Sequence, residues 1–212
     1  MPVSRQGQHA FVHIPKTGGT SIEAALGLLH DWREENRGAM FGLIQSPDLK
    51  EHGFVSHFLQ HLTVRELALL IPDIHSFFVF SFVRKPWQRF VSTYANTDPH
   101  LCRQAEKQGI QLTGISFKEF VYRCKEIEHV HLLEQYKFIM DSQEKVQVDF
   151  IGHFESLEED FQRVCQRLGV VKTLPHLNQS AHRSYRRYYD EETRAIIAER
   201  YRADIELFGY TF

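Results

Sequence analysis

Residues 9–26 read HAFVHIPKTGGTSIEAAL. The first part, His9 to Ile14, is an apolar run that predicts a β-strand. A Pro-Lys-Thr-Gly-Gly turn follows, and a helix is expected to begin near Thr20. One face of this helix would carry Ile22, Ala25, Leu26 and Leu29. A strand, a glycine turn and a helix in this order open a βαβ unit, which predicts an α/β fold with a central, mainly parallel sheet flanked by helices.

The turn at residues 15–21 has the composition of an anion-binding loop. Gly18 and Gly19 let the backbone curl closely around an anion because neither has a Cβ. N–H groups at the helix start and the positive end of the helix dipole would strengthen the binding. Lys16 adds a full positive charge. The hydroxyl donors of the turn are Thr17, Thr20 and Ser21. This convergence favours an anion site over an ordinary βα turn.

A second apolar run, Phe77 to Val83 (FFVFSFV), is typical of a central parallel strand buried on both faces. It ends in Arg84-Lys85-Pro86, and Pro86 is suited to open a helix that reaches Tyr94. A basic residue at the strand end indicates a second anion. Arg84 has the geometry to bind a phosphate, and the hydroxyl of Ser92, about two helical turns on, would donate to it. A surface salt bridge is the alternative for Arg84.

The loop is not a Walker A motif, because Lys16 precedes the glycines instead of following them. A magnesium-dependent kinase would also need a carboxylate at the end of the next strand, where this sequence has Arg84 and Lys85. A P-loop-type kinase remains one alternative, and magnesium-dependent ATP turnover would favour it. A non-catalytic nucleotide-binding module is the other, and it would bind nucleotide without transferring a group.

Composition predicts a single globular domain over residues 1–212. Hydrophobic residues at 42% and aromatic residues at 13% fill a core, which excludes an intrinsically disordered chain. A net charge of −2 excludes a globally basic nucleic-acid binder. Three cysteines are too few for a disulfide framework. With no apolar run near the ~18 residues that cross a bilayer, and no signal-like N-terminus, we expect a cytoplasmic protein without a membrane span.

Further elements follow from periodicity and capping residues. The expected helices are Thr63–Leu70, Ser116–Cys124, His131–Met140, Glu155–Leu168 with Gly169 as its C-cap, and a last helix after the N-cap Asp190, with Ile196, Ile197, Tyr201, Ile205 and Phe208 at helical spacing. The expected strands are Phe54–Phe58 and Val148–Phe154. Residues 31–53 read as a long loop, and Asp98 to Gly114 as a polar surface insertion.

The 13 histidines raise the question of a metal site. His9 and His13 form one pair spaced by four residues, and His57 and His61 form another. On a strand, this spacing keeps two side chains on one face but far apart. No HExxH or Cys/His pattern supports zinc, so we expect no metal.

Two motifs together resemble the sulfotransferase superfamily. PKTGGTS stands at residues 15–21 and FVRKPWQRFVSTY at residues 82–94. The closer likeness is to the carbohydrate branch that includes heparan sulfate 2-O-sulfotransferase and short bacterial relatives. It extends through DFIGHFESLEEDFQRVCQRLG (149–169) and HLNQSAHRSYRRYYDEETRAIIAERY (176–201).

The resemblance implies a P-loop-like fold and the co-substrate PAPS (3′-phosphoadenosine 5′-phosphosulfate), with PAP as product. Carried over, Lys16 to Ser21 hold the 5′-phosphosulfate, and Arg84 and Ser92 hold the 3′-phosphate. The acceptor implied is a hydroxyl of a glycan or glycoconjugate, read by the loops at 31–53 and 98–130. No metal is required, since a sulfuryl group carries less charge than a phosphoryl group.

His57, in Phe54-Val55-Ser56-His57-Phe58, resembles the general base of the heparan-sulfate-type enzymes, and histidine suits this role near neutral pH. A second family histidine, two residues earlier, is replaced here by Val55. A half-buried polar side chain is the alternative for His57. Lys16 would act with it by stabilising charge on the sulfuryl oxygens.

The densest basic segment is His182 to Arg187. In the family, the corresponding region closes over the nucleotide, so the resemblance makes Arg183 and Tyr185 phosphate contacts. A solvated loop ahead of the last helix is the alternative. Trp87 is expected to fill the interface between its strand and helix rather than to stack on adenine.

Overall fold

The computed structural model describes residues 2–28, 59–175 and 184–212. The chain divides into two compact units. The first comprises Met1–Val83 and Lys137–Leu177, and the second Arg84–Tyr136 and Asn178–Phe212. The single domain expected from the sequence stays a prediction. The expected strand at Phe54–Phe58 and the loop at 31–53 lie outside the described residues.

The first unit contains a four-stranded sheet in the order β1-β2-β3-β4. Its strands are β1 (Val3–Ser4), β2 (His9–Val12), β3 (Phe78–Val83) and β4 (Phe150–His153). The strands β2 and β3 are parallel, with His9 opposite Phe78 and Val12 opposite Ser81. The pair β3 and β4 is also parallel, whereas the two-residue β1 runs antiparallel to β2. The α/β fold with a mainly parallel sheet is thus confirmed, and β1 was not foreseen.

Helices connect and follow the strands. They are α1 (Gly19–Ala25), α2 (Val64–Leu70), α3 (Pro86–Ala95), α4 (Pro99–Glu106), α5 (Phe117–Arg123), α6 (Tyr136–Ile139), α7 (Leu157–Leu168), α8 (Glu191–Arg200) and α9 (Arg202–Phe208). Among the described residues, none of these helices has the length and apolar character needed to cross a bilayer.

The core of the first unit is built on the aromatic residues of β2 and β3. Phe11 and Phe80 stack with ring centroids 5.2 Å apart. Phe161 of α7 is fully buried beside them. The hydroxyl of Ser81, buried within β3, donates to the carbonyl of Val12 at 2.8 Å. This side-chain hydrogen bond supplements the backbone hydrogen bonds that already join β2 and β3.

Local capping confirms several helix boundaries. Thr63 and Glu66 form a capping box at the start of α2, and Ser116 and Glu119 form another at α5. The helix α7 ends at Gly169, whose φ of 68° is the left-handed conformation typical of a helix C-terminus. Each of these boundaries lies within one or two residues of its expected place.

The second unit is helical, and its core corrects one expectation. Asp98 to Gly114 is not a surface insertion, because it contains α4. Asp98 caps this helix, its carboxylate accepting N–H groups of His100 at 2.8 Å and Leu101 at 3.2 Å. Leu101 and Ala105 are fully buried. The many polar residues of the segment lie on the opposite face of an amphipathic helix.

Two further expectations about helices were wrong in extent. Within His131–Met140, only Tyr136–Ile139 is α-helical. The N–H groups of Gln135 and Tyr136 donate to the carboxylate of Asp204, so they enter no preceding helical turn. The final helix is interrupted at Tyr201, whose hydroxyl donates to the carbonyl of Leu132 at 2.9 Å. At both places, hydrogen bonds between residues distant in sequence accompany a backbone that departs from the helix predicted by hydrophobic periodicity.

Replacing Leu101 by Ala tests the corrected role of α4. The side chain is 0% exposed, so the substitution should lower the free energy of unfolding by about 2–5 kcal/mol. The same change at Leu207 of α9, which is 43% exposed, should cost less than about 1 kcal/mol. Urea denaturation measures both. Equal effects would contradict the placement of α4 in the core.

Candidate active site

The loop between β2 and α1 contains two residues with left-handed backbone. Gly18, the N-cap of α1, has a φ of 86°, and Lys16 has a φ of 69°. Glycine adopts this conformation readily, but a lysine there costs roughly 1–2 kcal/mol. Strain of this kind often occurs where a loop is shaped for a ligand. The loop predicted to bind an anion is therefore a defined, strained turn.

His13 explains why Gly19 must lack a side chain. A Cβ on Gly19 would lie 2.2 Å from the His13 Nε2, a distance that no real Cβ contact allows. The imidazole is buried beneath the loop and stacks on Phe11 with centroids 5.3 Å apart. The His13 ring thus packs closely against the loop backbone at Gly19.

A buried carboxylate holds this histidine in place. The His13 Nδ1 donates to a Glu23 carboxylate oxygen at 2.5 Å, and the Gln60 amide donates to the other oxygen at 2.7 Å. The Glu23 side chain is fully buried in α1. The Nδ1 of His61 donates to the His13 carbonyl at 3.0 Å. One carboxylate therefore ties the end of β2, helix α1 and the 3-10 turn Leu59–His61 together.

The sequence interpretation missed this network. It considered His13 with His9 and His61 with His57, whereas the structure brings the His13 and His61 rings together at 4.7 Å. The overlooked signal is Glu23 itself, an acidic residue inside a short helix of mostly small and apolar residues. No group of three or more metal-ligating side chains occurs within residues 2–28, 59–175 and 184–212.

The three hydroxyl residues of the loop differ in their surroundings. Thr17 is fully buried, and its hydroxyl donates to the carbonyl of Ile14 at 2.8 Å. The hydroxyl proton of Thr17 is therefore used within the loop itself. Ser21 is buried in the first turn of α1 and Thr20 is half-buried. Their roles as ligands stay predictions.

The second predicted anion site begins where β3 ends. Arg84 follows Val83 directly and is buried, with 6% of its surface exposed. Pro86 is the first residue of α3, as expected, and Ser92 lies buried on that helix. Trp87 donates its indole N–H to the Arg194 carbonyl at 3.1 Å and is 4% exposed. Its ring fills the interior of the second unit.

Tyr185 lies in the 3-10 turn Tyr185–Tyr188 and is half-buried. The Lys85 Nζ is 5.9 Å from the centroid of its ring, and the Arg186 guanidinium is 5.8 Å from it. The structure thus brings Tyr185 to the residue after Arg84. The other two predicted site residues, His57 and Arg183, lie outside the described residues.

A cavity of about 460 Å³ lies in the first unit at a different place. It is lined by residues of α2, by the start of β3 and by residues 141–149. Phe77 and Val79 place it at the amino end of β3, whereas ligands of open parallel sheets bind at the carboxyl ends. It is therefore not the predicted nucleotide site.

Replacing Glu23 by Ala tests the network beneath the loop. The substitution leaves the buried donors of His13 and Gln60 without their acceptor, so unfolding should become easier by about 2–4 kcal/mol. Glu159→Ala on α7, an exposed glutamate paired with Arg163, is the matched control and should cost less than about 1 kcal/mol. Chemical denaturation that finds Glu23→Ala as mild as the control would contradict the network.

Comparisons with known proteins identify the family of the chain. The sequence model of the sulfotransferase family matches residues 2–211. The chain is 26% identical to human carbohydrate sulfotransferase 9 over 230 aligned residues, covering 92% of this chain and 46% of that protein. It is 21% identical to human carbohydrate sulfotransferase 10 over 234 aligned residues, covering 94% of this chain and 64% of that protein.

An uncharacterized protein of Archaeoglobus fulgidus is 33% identical over 112 residues, which cover 52% of this chain and 84% of that protein. The chain thus spans less than two thirds of the length of the carbohydrate sulfotransferases it matches. No solved structure matches it significantly. Because the family match extends over nearly the whole chain, the protein belongs to the sulfotransferase family.

Proposed function

We propose that this protein is a PAPS-dependent O-sulfotransferase that acts on a hydroxyl of a glycan or glycoconjugate. The family match over residues 2–211 carries the proposal. Membership supports an enzyme that transfers a sulfuryl group, in preference to a magnesium-dependent kinase. The donor, the catalytic base and the acceptor belong to the proposal.

The proposed nucleotide carries an anionic group at each of two positions, and the chain has a basic residue after each of two neighbouring strands. Lys16 and the left-handed turn at Gly18 follow β2, and Arg84 follows β3. Since β2 and β3 are parallel neighbours, both segments start from the same edge of the sheet. In the proposal, residues 16–21 bind the 5′-phosphosulfate, and Arg84 and Ser92 bind the 3′-phosphate. Tyr185 and Arg183 add contacts to the nucleotide.

The reaction is an in-line displacement at sulfur. The acceptor oxygen forms a bond to sulfur while the bond from sulfur to the 5′-phosphate oxygen breaks, releasing PAP. His57 accepts the proton of the acceptor hydroxyl. Lys16 stabilises the negative charge that develops on the sulfuryl and bridging oxygens. Neither role needs a metal ion, because a sulfuryl group carries less charge than a phosphoryl group.

The strained backbone of Lys16 has a role in this scheme. A left-handed residue directs its side chain differently from one in extended or helical backbone. In the proposal, the turn sets the direction of the Lys16 Cα–Cβ bond before substrate arrives, which contributes to the preorganisation that electrostatic stabilisation requires. The Glu23 network supports the same turn from beneath, through His13 and Gly19.

Two relatives of the chain are carbohydrate sulfotransferases, which supports a glycan as the acceptor. A non-catalytic PAP-binding module is the alternative hypothesis. It predicts binding of PAP without transfer, and the presence of Lys16 in a shaped loop speaks against it.

Ligand-dependent melting tests the proposed nucleotide. PAP should raise the Tm well above the value found with AMP at the same concentration, because Arg84 and Ser92 bind the additional 3′-phosphate. Arg84→Ala should remove most of this difference. Arg103→Ala, an exposed arginine of α4, should leave it unchanged. Equal shifts from PAP and AMP on the unmodified protein would overturn the proposed nucleotide site.

Paired substitutions at Lys16 separate charge from backbone strain. Lys16→Ala and Lys16→Gly both remove the ammonium, so kcat should fall by about 10²–10³-fold in each. Glycine also relieves the left-handed strain, so Lys16→Gly should be more stable than Lys16→Ala by roughly 1 kcal/mol. Steady-state kinetics and urea denaturation measure the two effects. A kcat near that of the unmodified enzyme would refute the role of Lys16.

Substitution of His57 tests the proposed base. His57→Ala should lower kcat by at least about 10²-fold while PAP affinity stays within about twofold. The control is His75→Ala, an exposed histidine of the 3-10 turn Ile74–Ser76, which should leave kcat unchanged. Loss of PAP affinity together with activity in His57→Ala would show a structural role instead.

A further inference from the structure

The side chain of Gln135 binds the backbone of Arg84 at two points. Its Oε1 accepts the Arg84 N–H at 2.8 Å, and its Nε2 donates to the Arg84 carbonyl at 2.9 Å. Gln135 is 0% exposed. The bonds span 51 residues of sequence. A single amide therefore holds the N–H and the carbonyl on both sides of the Arg84 Cα.

This contact lies where the sheet stops. The ladder between β3 and β4 ends at the pair Val83 and His153, so Arg84 is the first residue beyond it. Buried backbone groups need partners, and the Gln135 amide supplies them in place of a neighbouring strand. The position and direction of the Arg84 Cα–Cβ bond are thereby fixed.

A buried carboxylate in turn fixes Gln135. The Asp204 Oδ2 accepts the Gln135 N–H at 2.9 Å and the Gln135 side-chain amide at 3.4 Å. The Asp204 Oδ1 accepts the Tyr136 N–H at 2.9 Å. Asp204 is fully buried in α9. Both the backbone and the side chain of Gln135 are therefore held by one residue of the C-terminal helix.

The positive charge of Arg89 opposes the negative charge of the Asp204 carboxylate. Arg89 is almost completely buried, donates to the Leu133 carbonyl at 2.9 Å and contributes a favourable charge to Asp204. Burial raises the pKa of the Asp204 carboxyl, while the N–H donors of Gln135 and Tyr136 oppose that rise. A buried carboxylate with this many donors serves as a fixed anchor for the backbone around it.

We propose that Gln135, held by Asp204, is a positioning residue that sets the Arg84 guanidinium for the 3′-phosphate of the nucleotide. This inference rests on the proposed function, in which Arg84 binds that phosphate. A planar guanidinium binds phosphate through two parallel hydrogen bonds, so it is sensitive to small displacements. Sites of this kind need their side chains held within about 0.5 Å by a rigid supporting shell.

Calorimetric titration of the full chain with PAP and with AMP tests the proposal. Gln135→Met keeps the length of the side chain but removes both bonds to Arg84. It should weaken PAP binding by about 10–100-fold and AMP binding by less than about twofold. Gln147→Met is the matched control, since the Gln147 amide donates to Asp141 in the other unit. This control should leave both affinities unchanged.

A double-mutant cycle separates positioning from general stability. In an Arg84→Ala background, Gln135→Met should change PAP affinity by less than about twofold, because the group it positions is gone. Should Gln135→Met fail to fold, Asp204→Asn provides the same test, with a smaller selective loss of PAP affinity. An equal loss of PAP and AMP binding in the variants, or an unchanged preference for PAP, would overturn the inference.

The proposed nucleotide site and the proposed role of Gln135 can be disproved separately. If the unmodified protein binds PAP and AMP equally, the proposed 3′-phosphate site is wrong. If it prefers PAP and Gln135→Met keeps that preference in full, only the role of Gln135 is wrong.

Discussion

The parallel pairing of β2 and β3 determines where the two predicted anion-binding segments begin. Parallel strands necessarily end at the same edge of a sheet, and here Val12 lies opposite Ser81 near that edge. The strained loop leaves from one strand and Arg84 from the other. The Ser81 hydroxyl bond to the Val12 carbonyl strengthens the pairing where the two segments diverge. Two sequence motifs separated by many residues therefore start from adjacent points of one scaffold.

Buried polar side chains then control the irregular backbone beyond the strands. Glu23 accepts hydrogen bonds from His13 and Gln60 beneath the first loop. Gln135 binds the Arg84 backbone after β3, with Asp204 behind it. Each case follows one physical rule: polar groups removed from water must find partners, and a side chain can supply them where a sheet or helix ends. The same rule makes both networks sensitive to single substitutions.

Much of the fold was predictable because its signals are local. The continuous apolar run of β3 predicts a central strand, and the capping residue Asp190 predicts a helix start. The amphipathic α4 was misread because its apolar positions, such as Leu101, are few among polar ones. The motifs single out Lys16 and Arg84, whose roles in the candidate site stay predictions. Contacts such as that of Gln135 with Arg84 leave no local pattern, since they join residues distant in sequence.

Family membership indicates an enzyme that transfers a sulfuryl group, and the donor PAPS is part of the proposal. Incubation of the full chain with radioactively sulfur-labelled PAPS, a panel of oligosaccharides and a metal chelator tests the central claim most directly. A PAPS-dependent O-sulfotransferase should move the label to an oligosaccharide hydroxyl in an amount equal to the PAP formed. PAP binding without transfer of label to any acceptor of the panel would contradict it.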